Sequence, residues 1–114
     1  KVHEMLQIAT RSYAFEGRCF AVGVGQIMRV KDIPDTLTLP AELKNKPDHL
    51  LLNGGSCVVG PDGHYVMEPI WDKEGVFTAE VDLNRCTEEK MALDVTGHYQ
   101  RNDVFQLDVN HSRR

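Results

Sequence analysis

Residues 9–25 read ATRSYAFEGRCFAVGVG, which predicts the end of a helix followed directly by a buried strand. Apolar residues recur at helical spacing through Val2–Glu16 and predict a helix with one apolar face. These apolar residues are Val2, Met5, Leu6, Ala9 and Tyr13. Gly17 is expected to end the helix as its left-handed cap residue. The strand is predicted over Arg18–Gly25, because Cys19-Phe20-Ala21-Val22 lacks alternation, as a strand covered on both faces does. A helix joined by a short connection to a central strand indicates a layered α/β domain.

The composition limits the classes of partner that the chain can have. Its 114 residues allow one domain, and a formal net charge of −4 argues against nucleic acid or an anionic membrane as a partner. No apolar run approaches the roughly 18 residues that span a bilayer. The three cysteines, an odd number without CxxC spacing, predict reduced thiols in a cytoplasmic protein.

The first residues indicate a piece of a longer protein. The chain opens with Lys1 and enters the helical pattern at Val2, with no Ser, Thr, Asp or Asn in front as an N-cap. We therefore expect an upstream part of a longer protein to be missing.

The middle of the chain is predicted to be a long connection followed by a hairpin. Gln26–Leu52 reads as mostly irregular, with a turn at residues 32–35 and a short helix opening at Pro40. A connection of this length is either functional or an ordinary surface excursion, and the sequence leaves both open. Residues 53–56 predict a break in the chain, after which residues 57–59 and 64–67 flank the turn Gly60-Pro61-Asp62-Gly63 as a β-hairpin.

Three further elements are predicted downstream, after a charged loop at Ile70–Gly75. Strict alternation over Val76–Leu83 predicts a strand with one wet face or at a sheet edge. Asn84–Leu93 predicts a helix capped by Asn84 or Thr87, and Val104–Val109 predicts a final strand or extended tail. With all strands in one sheet and the helices on one side, the other face lacks cover from this chain. Missing residues or another subunit are expected to bury it.

The residues alone supply no self-sufficient active site. Cys57 begins an apolar strand and has no nearby base, so it reads as a core thiol and not as a nucleophile. The five histidines stand singly without metal-ligand spacing, which predicts no metal site. Gly23-Val24-Gly25 lacks the third glycine of a dinucleotide loop, so no cofactor is predicted. Asp94–Arg101 is the densest polar cluster, and it reads as a hydrogen-bonded anchor for the C-terminal segment or as a small anion site.

Four blocks of sequence resemble nitrilases of the carbon–nitrogen hydrolase superfamily, in the family's order. Residues 11–20 (RSYAFEGRCF) resemble the helix–strand segment downstream of the catalytic cysteine, and residues 31–34 (KDIP) resemble the loop after that strand. Residues 54–63 (GGSCVVGPDG) resemble the superfamily's Gly-x-Ser…Pro-x-Gly hairpin. Residues 94–101 (DVTGHYQR) resemble the Gly-His-Tyr-x-Arg block that distinguishes nitrilases from amidases. Asn102 departs from the branch, which commonly has proline there.

The resemblance implies a fold and a chemistry. Residues 1–114 would form the C-terminal portion of a single domain of this family. The fold would be part of a four-layer αββα sandwich with helices packed on a mixed sheet. The chemistry would be hydrolysis of a nitrile to a carboxylic acid and ammonia through a cysteine thioimidate. The family's catalytic Glu, Lys and Cys lie upstream of the matched segment, so no catalytic residue is assigned here. The strand end and the following loop approach the active site in the family, which nominates Gly25, Gln26 and Ser56 as adjacent to the substrate pocket.

The resemblance also implies partners. The helix Val2–Gly17 matches one that packs against its copy across the family's dimer interface, and nitrilases assemble further into spirals. We therefore predict a homodimer or larger spiral oligomer, inactive and self-associating when it lacks the upstream segment. Two alternatives remain: a non-catalytic assembly module derived from the same fold, and an unrelated α/β binding domain.

Overall fold

Helix α1 (Met5–Gly17) lies on a small antiparallel sheet in the computed structural model, which describes residues 4–113. The predicted start of this helix at Val2 lies outside the described residues. The other elements, in chain order, are β1 (Ala21–Gly23), β2 (Ile27–Arg29), α2 (Ala41–Lys44), β3 (Leu50–Val59), β4 (Tyr65–Trp71) and α3 (Asn84–Lys90). The α/β class predicted from the sequence agrees with this architecture.

The sheet is organised around its longest strand, β3. Strand β1 pairs with the end of β3 (Ala21 opposite Val59), and β2 pairs with its beginning (Ile27 opposite Asn53). These pairs keep one register, so β2 continues β1 along the same edge of β3 after an interruption at residues 24–26. Strand β4 pairs with β3 as the second arm of a hairpin. Every described pairing is antiparallel, so the expected mixed sheet is wrong for this part of the chain.

The end of α1 differs from the prediction by one residue. Arg18, and not Gly17, adopts the left-handed conformation that closes the helix, with φ 48° and ψ 48°. A side chain in this region costs about 1–2 kcal/mol, so another interaction must hold Arg18 there. Its guanidinium is buried and donates to the carbonyl oxygens of Pro61 and Leu93, each at 3.1 Å. The left-handed turn aims the side chain at these acceptors.

Helix α1 turns small and polar residues toward the sheet. Its buried positions are Gln7, Thr10 and Ala14, whereas the apolar residues Met5 and Tyr13 are 63% and 71% exposed. The reason is a close approach of the helix to glycines. A Cβ on Gly23 would lie 2.8 Å from the Thr10 hydroxyl, and one on Gly55 would lie 2.6 Å from the Gln7 amide nitrogen. Large apolar side chains do not fit on this face of α1.

The core lies between α1 and the sheet. Ala14, Cys57 and Val59 are fully buried, and Ala21 and Tyr65 pack against them. On the opposite face of β1, Val22 is 68% exposed. The prediction of a first strand covered on both faces is therefore wrong within the described residues. Val58, which lies opposite Val22 on the same face, is only 7% exposed, so this face is uncovered in part.

The predicted hairpin is confirmed and is longer than expected. Gly60 and Gly63 close its turn with backbone hydrogen bonds of 2.8 and 2.9 Å. The expected break at residues 53–56 is instead part of β3, where Gly54 and Gly55 adopt φ values of 91° and 89° and the register with β4 shifts. Strand β4 runs to Trp71, so the predicted loop at 70–75 begins two residues later.

In the remaining segments the structure differs in places from what the sequence pattern predicts. The long connection contains β2, a 3₁₀ turn at Val30–Asp32 and the short α2 expected near Pro40. Val76–Leu83 forms no ladder with any described strand, although its residues alternate. Helix α3 is confirmed, but Asp82 supplies the carboxylate that accepts the Asn84 N–H, and neither Asn84 nor Thr87 caps it. Residues 104–109 form no strand in the described part of the chain.

Candidate functional site

The interruption between β1 and β2 brings two backbones into direct contact. A Cβ on Gly25 would lie 2.0 Å from the carbonyl oxygen of Gly54, so only glycine fits at position 25. The Gly54 N–H donates to the carbonyl oxygen of Gln26 at 3.0 Å. Positive φ at Gly54 turns its peptide toward the neighbouring strand. Glycines at positions 25 and 54 therefore allow this kink, because a side chain at Gly25 would push the two backbone segments apart.

Ser56 fastens this kink. Its Oγ accepts a hydrogen bond from the Gly25 N–H at 2.9 Å and donates to the Gly25 carbonyl oxygen at 3.3 Å. The hydroxyl thus replaces the ladder hydrogen bonds that the interrupted strand lacks at Gly25. The structure brings all three nominated residues, Gly25, Gln26 and Ser56, to one place. Ser56 holds the backbone there and is not among the residues that line the neighbouring cavity.

A cavity of about 430 Å³ opens at the kink. The residues that line it carry no formal charge: Leu6, Val24, Gly25, Gln26, Leu51, Leu52, Asn53 and Gly54. Gln26, in the interruption between β1 and β2, and Asn53, on β3, supply its two polar side chains. Sequence reasoning nominated Gln26 but missed Asn53, because residues 53–56 were read as a break and not as part of a strand.

The three cysteines are free: Cys57 is buried, and Cys19 and Cys86 are half-buried. Burial raises the pKa of the Cys57 thiol, and a backbone hydrogen bond from Gly23 offsets this effect only in part. A thiol with a raised pKa stays protonated at neutral pH and is a poor nucleophile. Cys57 instead fills the core beside Ala14 and Val59.

No group of three or more His, Cys, Asp or Glu side chains gathers into a metal-binding cluster within residues 4–113. No described helix is long and apolar enough to cross a membrane. The Gly-His-Tyr block folds into a local turn, in which Asp94 accepts the backbone N–H groups of Gly97, His98 and Tyr99 at 3.0 Å each. Its side chains are exposed, so the block organises its own turn and does not anchor the C-terminal segment to the described sheet.

Arg18 is a second residue that sequence reasoning missed. Besides the carbonyl oxygens of Pro61 and Leu93, it faces Glu89 at 3.5 Å and lies 4.3 Å above the Phe15 ring. One side chain therefore joins the end of α1, the hairpin turn and α3. The signal in the sequence was a charged residue directly before an apolar strand, which reads as exposed until the partners are known.

The comparison with known proteins identifies the family. The sequence profile of the carbon-nitrogen hydrolase family matches residues 1–91. An arylacetonitrilase of Trametes versicolor is 41% identical over 96 residues, which are 84% of this chain and 30% of that protein. An aliphatic nitrilase of Sinorhizobium fredii is 36% identical over 100 residues, covering 88% of this chain and 32% of that protein. The nitrilase-like protein YIL165C of Saccharomyces cerevisiae is 36% identical over 108 residues, covering 88% of this chain and 91% of that protein.

The chain thus spans about a third of the length of the first two relatives and nearly all of the third. The matched range of the profile contains α1, α3 and every strand of the sheet. Relatives named nitrilases agree with the branch indicated by the Gly-His-Tyr block. The resemblance predicted from the sequence is confirmed: the chain is a nitrilase-like segment and belongs to the carbon-nitrogen hydrolase family.

Proposed function

We propose that this chain is the C-terminal scaffold of a hydrolase domain that converts nitriles to carboxylic acids and ammonia. The observation that supports this most directly is the match to proteins named nitrilases over 84–93% of the chain. The names of these relatives include arylacetonitrilase and aliphatic nitrilase, so the proposal concerns the nitrile group and not the carbon chain attached to it.

The proposed reaction divides a slow hydration into covalent steps. A cysteine thiolate adds to the nitrile carbon, the nitrile nitrogen takes a proton, and a thioimidate forms. Water adds to that carbon, ammonia leaves, and a thioester remains. A second water releases the carboxylic acid and regenerates the thiol, so one nitrile and two waters give one acid and one ammonia. The Glu, Lys and Cys of this reaction lie in the part of the domain upstream of Lys1.

The cysteine environment supports this division of labour. Cys57 is fully buried, and burial together with the nearby negative charge of Glu68 raises the pKa of its thiol. The chain alone is therefore expected to be inactive and to supply pocket wall through Gly25, Gln26 and Ser56. Three free thiols suit a reducing compartment, so we place the protein in the cytoplasm.

The bare face of the sheet supports a sandwich that another segment completes. Val22 and Val24 are 68% and 79% exposed, and Leu52 and Val66 are also exposed. Covering two valines alone would contribute about 3 kcal/mol or more. The occupant proposed is the upstream part of the same domain, because the arylacetonitrilase extends well beyond the 30% of its length that this chain matches. Its second sheet would complete the αββα layers.

The outer face of α1 supports a contact with a second copy of the chain. Met5, Ile8, Tyr13 and Phe15 are all exposed there, on a helix that buries the polar residues Gln7 and Thr10. An apolar outer face on a helix already packed on a sheet is typical of an interface, since water does not favour it. A homodimer through α1, extended into a larger spiral, is the proposed assembly.

Reconstitution from two chains tests the proposal. This chain would be co-expressed with the part of the Trametes versicolor arylacetonitrilase that precedes the matched stretch, and ammonia release from phenylacetonitrile would be measured. We expect activity from the pair and none from either chain alone. Replacing the upstream catalytic cysteine by alanine in the pair is the matched control and should abolish the ammonia.

Two results would contradict the proposal. Ammonia release by the purified 114-residue chain would show that it holds its own catalytic group. A pair that assembles stably without hydrolysing nitriles would favour the assembly module instead. Sedimentation of the chain alone provides a further check, because an uncovered sheet face should make it self-associate and not sediment as a compact monomer.

A further inference from the structure

The cavity at the kink between β1 and β2 combines an apolar wall with two amide side chains. Its volume of about 430 Å³ lies within the range of small-molecule sites. Leu6, Val24 and Leu52 contribute the apolar part, and no lining side chain is ionisable. An ionised ligand would meet no opposite charge here, so the lining favours an uncharged molecule with an apolar body.

The two amide side chains are available to a ligand. The side chains of Gln26 and Asn53 make no hydrogen bond to another residue within the described part of the chain. Their backbones, in contrast, are fixed: Gln26 accepts the Gly54 N–H at 3.0 Å, and Asn53 accepts the Asp72 N–H at 2.9 Å. Each amide therefore offers two N–H donors from a backbone position that is held by a hydrogen bond.

The kink keeps the two amides in a set relation to each other. Gly25 and Gly54 are in backbone contact, and Ser56 bonds both the N–H and the carbonyl of Gly25. Gln26 directly follows Gly25, and Asn53 directly precedes Gly54. The contacts that hold Gly25 against Gly54 and Ser56 therefore also set the spacing of the two amides. A preformed site of this kind loses less entropy on binding.

We propose that Gln26 and Asn53 form a subsite that donates hydrogen bonds to the nitrile nitrogen of the substrate, with Ser56 as the residue that positions them. A nitrile nitrogen accepts hydrogen bonds and carries no charge, and the rest of a small nitrile is apolar, which fits the lining. This inference rests on the proposed nitrile-hydrolysing function. It adds Asn53 as a substrate contact, and it gives Ser56 the role of holding the backbone at Gly25 without touching the substrate.

The kinetic test uses the reconstituted pair of chains. Asn53→Asp keeps the size of the side chain but removes its N–H donors, and within residues 4–113 Asn53 has no side-chain hydrogen bond to lose. We expect KM for phenylacetonitrile to rise about tenfold, which corresponds to the roughly 1.4 kcal/mol that one such hydrogen bond contributes. Asn45→Asp, the same change at an exposed residue outside the cavity, is the matched control and should leave KM unchanged.

A binding measurement on the assembled pair, with this chain isotope-labelled and the upstream catalytic cysteine replaced by alanine, separates this inference from the proposed function. Addition of propionitrile should shift the side-chain NH₂ signals of Gln26 and Asn53 in an amide NMR spectrum, saturably, while propionate should not. Shifts without hydrolysis by the pair that retains the catalytic cysteine would support the subsite and overturn the catalytic proposal. An active pair in which Asn53→Asp leaves KM unchanged, or a chain whose NH₂ signals do not respond, would overturn the subsite and leave the catalytic proposal standing.

Discussion

Replacing Arg18 by methionine should destabilise the chain more than any other single change at the end of α1. The guanidinium is 5% exposed and donates to the carbonyl oxygens of Pro61 and Leu93. Hydrogen bonds from a charged donor contribute about 1.5 kcal/mol each. The pair with Glu89, at 3.5 Å and partly exposed, adds less than about 1 kcal/mol. The expected loss in the free energy of unfolding is about 3 kcal/mol.

Arg11 on the same helix provides the matched control. Its side chain makes one hydrogen bond, to the carbonyl oxygen of Gly63 at 2.8 Å, and it is exposed. Arg11→Met should therefore cost less than about 1 kcal/mol. Because both variants lose one positive charge from α1, the difference between them reports on burial and hydrogen bonding and not on net charge.

Urea unfolding followed by the fluorescence of Trp71, the single tryptophan, gives the free energies. All proteins are compared at one concentration, because self-association adds to the apparent stability. Hydrogen exchange supplies the local readout: the amides of α3 should exchange faster in Arg18→Met and be unchanged in Arg11→Met. Equal destabilisation by the two substitutions, with unaltered exchange in α3, would refute the assignment of Arg18 as the joint between α1, the hairpin turn and α3.

Three further outcomes follow from the same geometry. Gly25→Ala places a Cβ 2.0 Å from the Gly54 carbonyl oxygen and should cost about 3 kcal/mol in urea unfolding, whereas Gly75→Ala, whose nearest contact is a ring atom at 3.3 Å, should be nearly neutral. Partial burial raises the pKa of Asp62, but the His64 N–H and the charge of Arg85 outweigh it, so the pKa of this carboxyl is lowered. The ionised carboxylate therefore stabilises the fold by less than about 1 kcal/mol above about pH 4, and this contribution is lost as the pH falls through the folded pKa. The difference in unfolding free energy between the protein and Asp62→Asn should vanish at that low pH, and a difference that stays constant with pH would contradict the assignment. Cys57 should resist iodoacetamide in the native protein at pH 8 and react after unfolding, which mass spectrometry of the alkylated peptides would detect.

The hairpin and α3 could be predicted because their signals are local. Pro61, Asp62 and Gly63 favour a turn through their own backbone preferences, whichever residues surround them. The alternation over Val76–Leu83 is also local, but a strand needs a neighbouring edge, and the described residues offer none. The sequence of Val76–Leu83 does alternate, but the prediction that it pairs as a strand is wrong in this part of the chain.

The orientation of α1 could not be predicted, because the residues that decide it lie far away in sequence. Gly23 and Gly55 let the helix approach closely, so Gln7 and Thr10 face the sheet, whereas Met5 and Tyr13 are exposed. The left-handed conformation of Arg18 has the same origin, since hydrogen bonds to the carbonyl oxygens of Pro61 and Leu93 offset its energetic cost. Asn53 was missed because two glycines after it suggested a break, although in β3 they form a kink.

By itself, the sequence determined the family, the α/β class and the hairpin, because each depends on short motifs or on residue types. The tertiary structure decided which face of α1 is buried, which residue closes that helix and where the uncharged cavity lies. These features depend on contacts between residues tens of positions apart, such as Gly25 with Gly54, and such distances are set only once the strands pair.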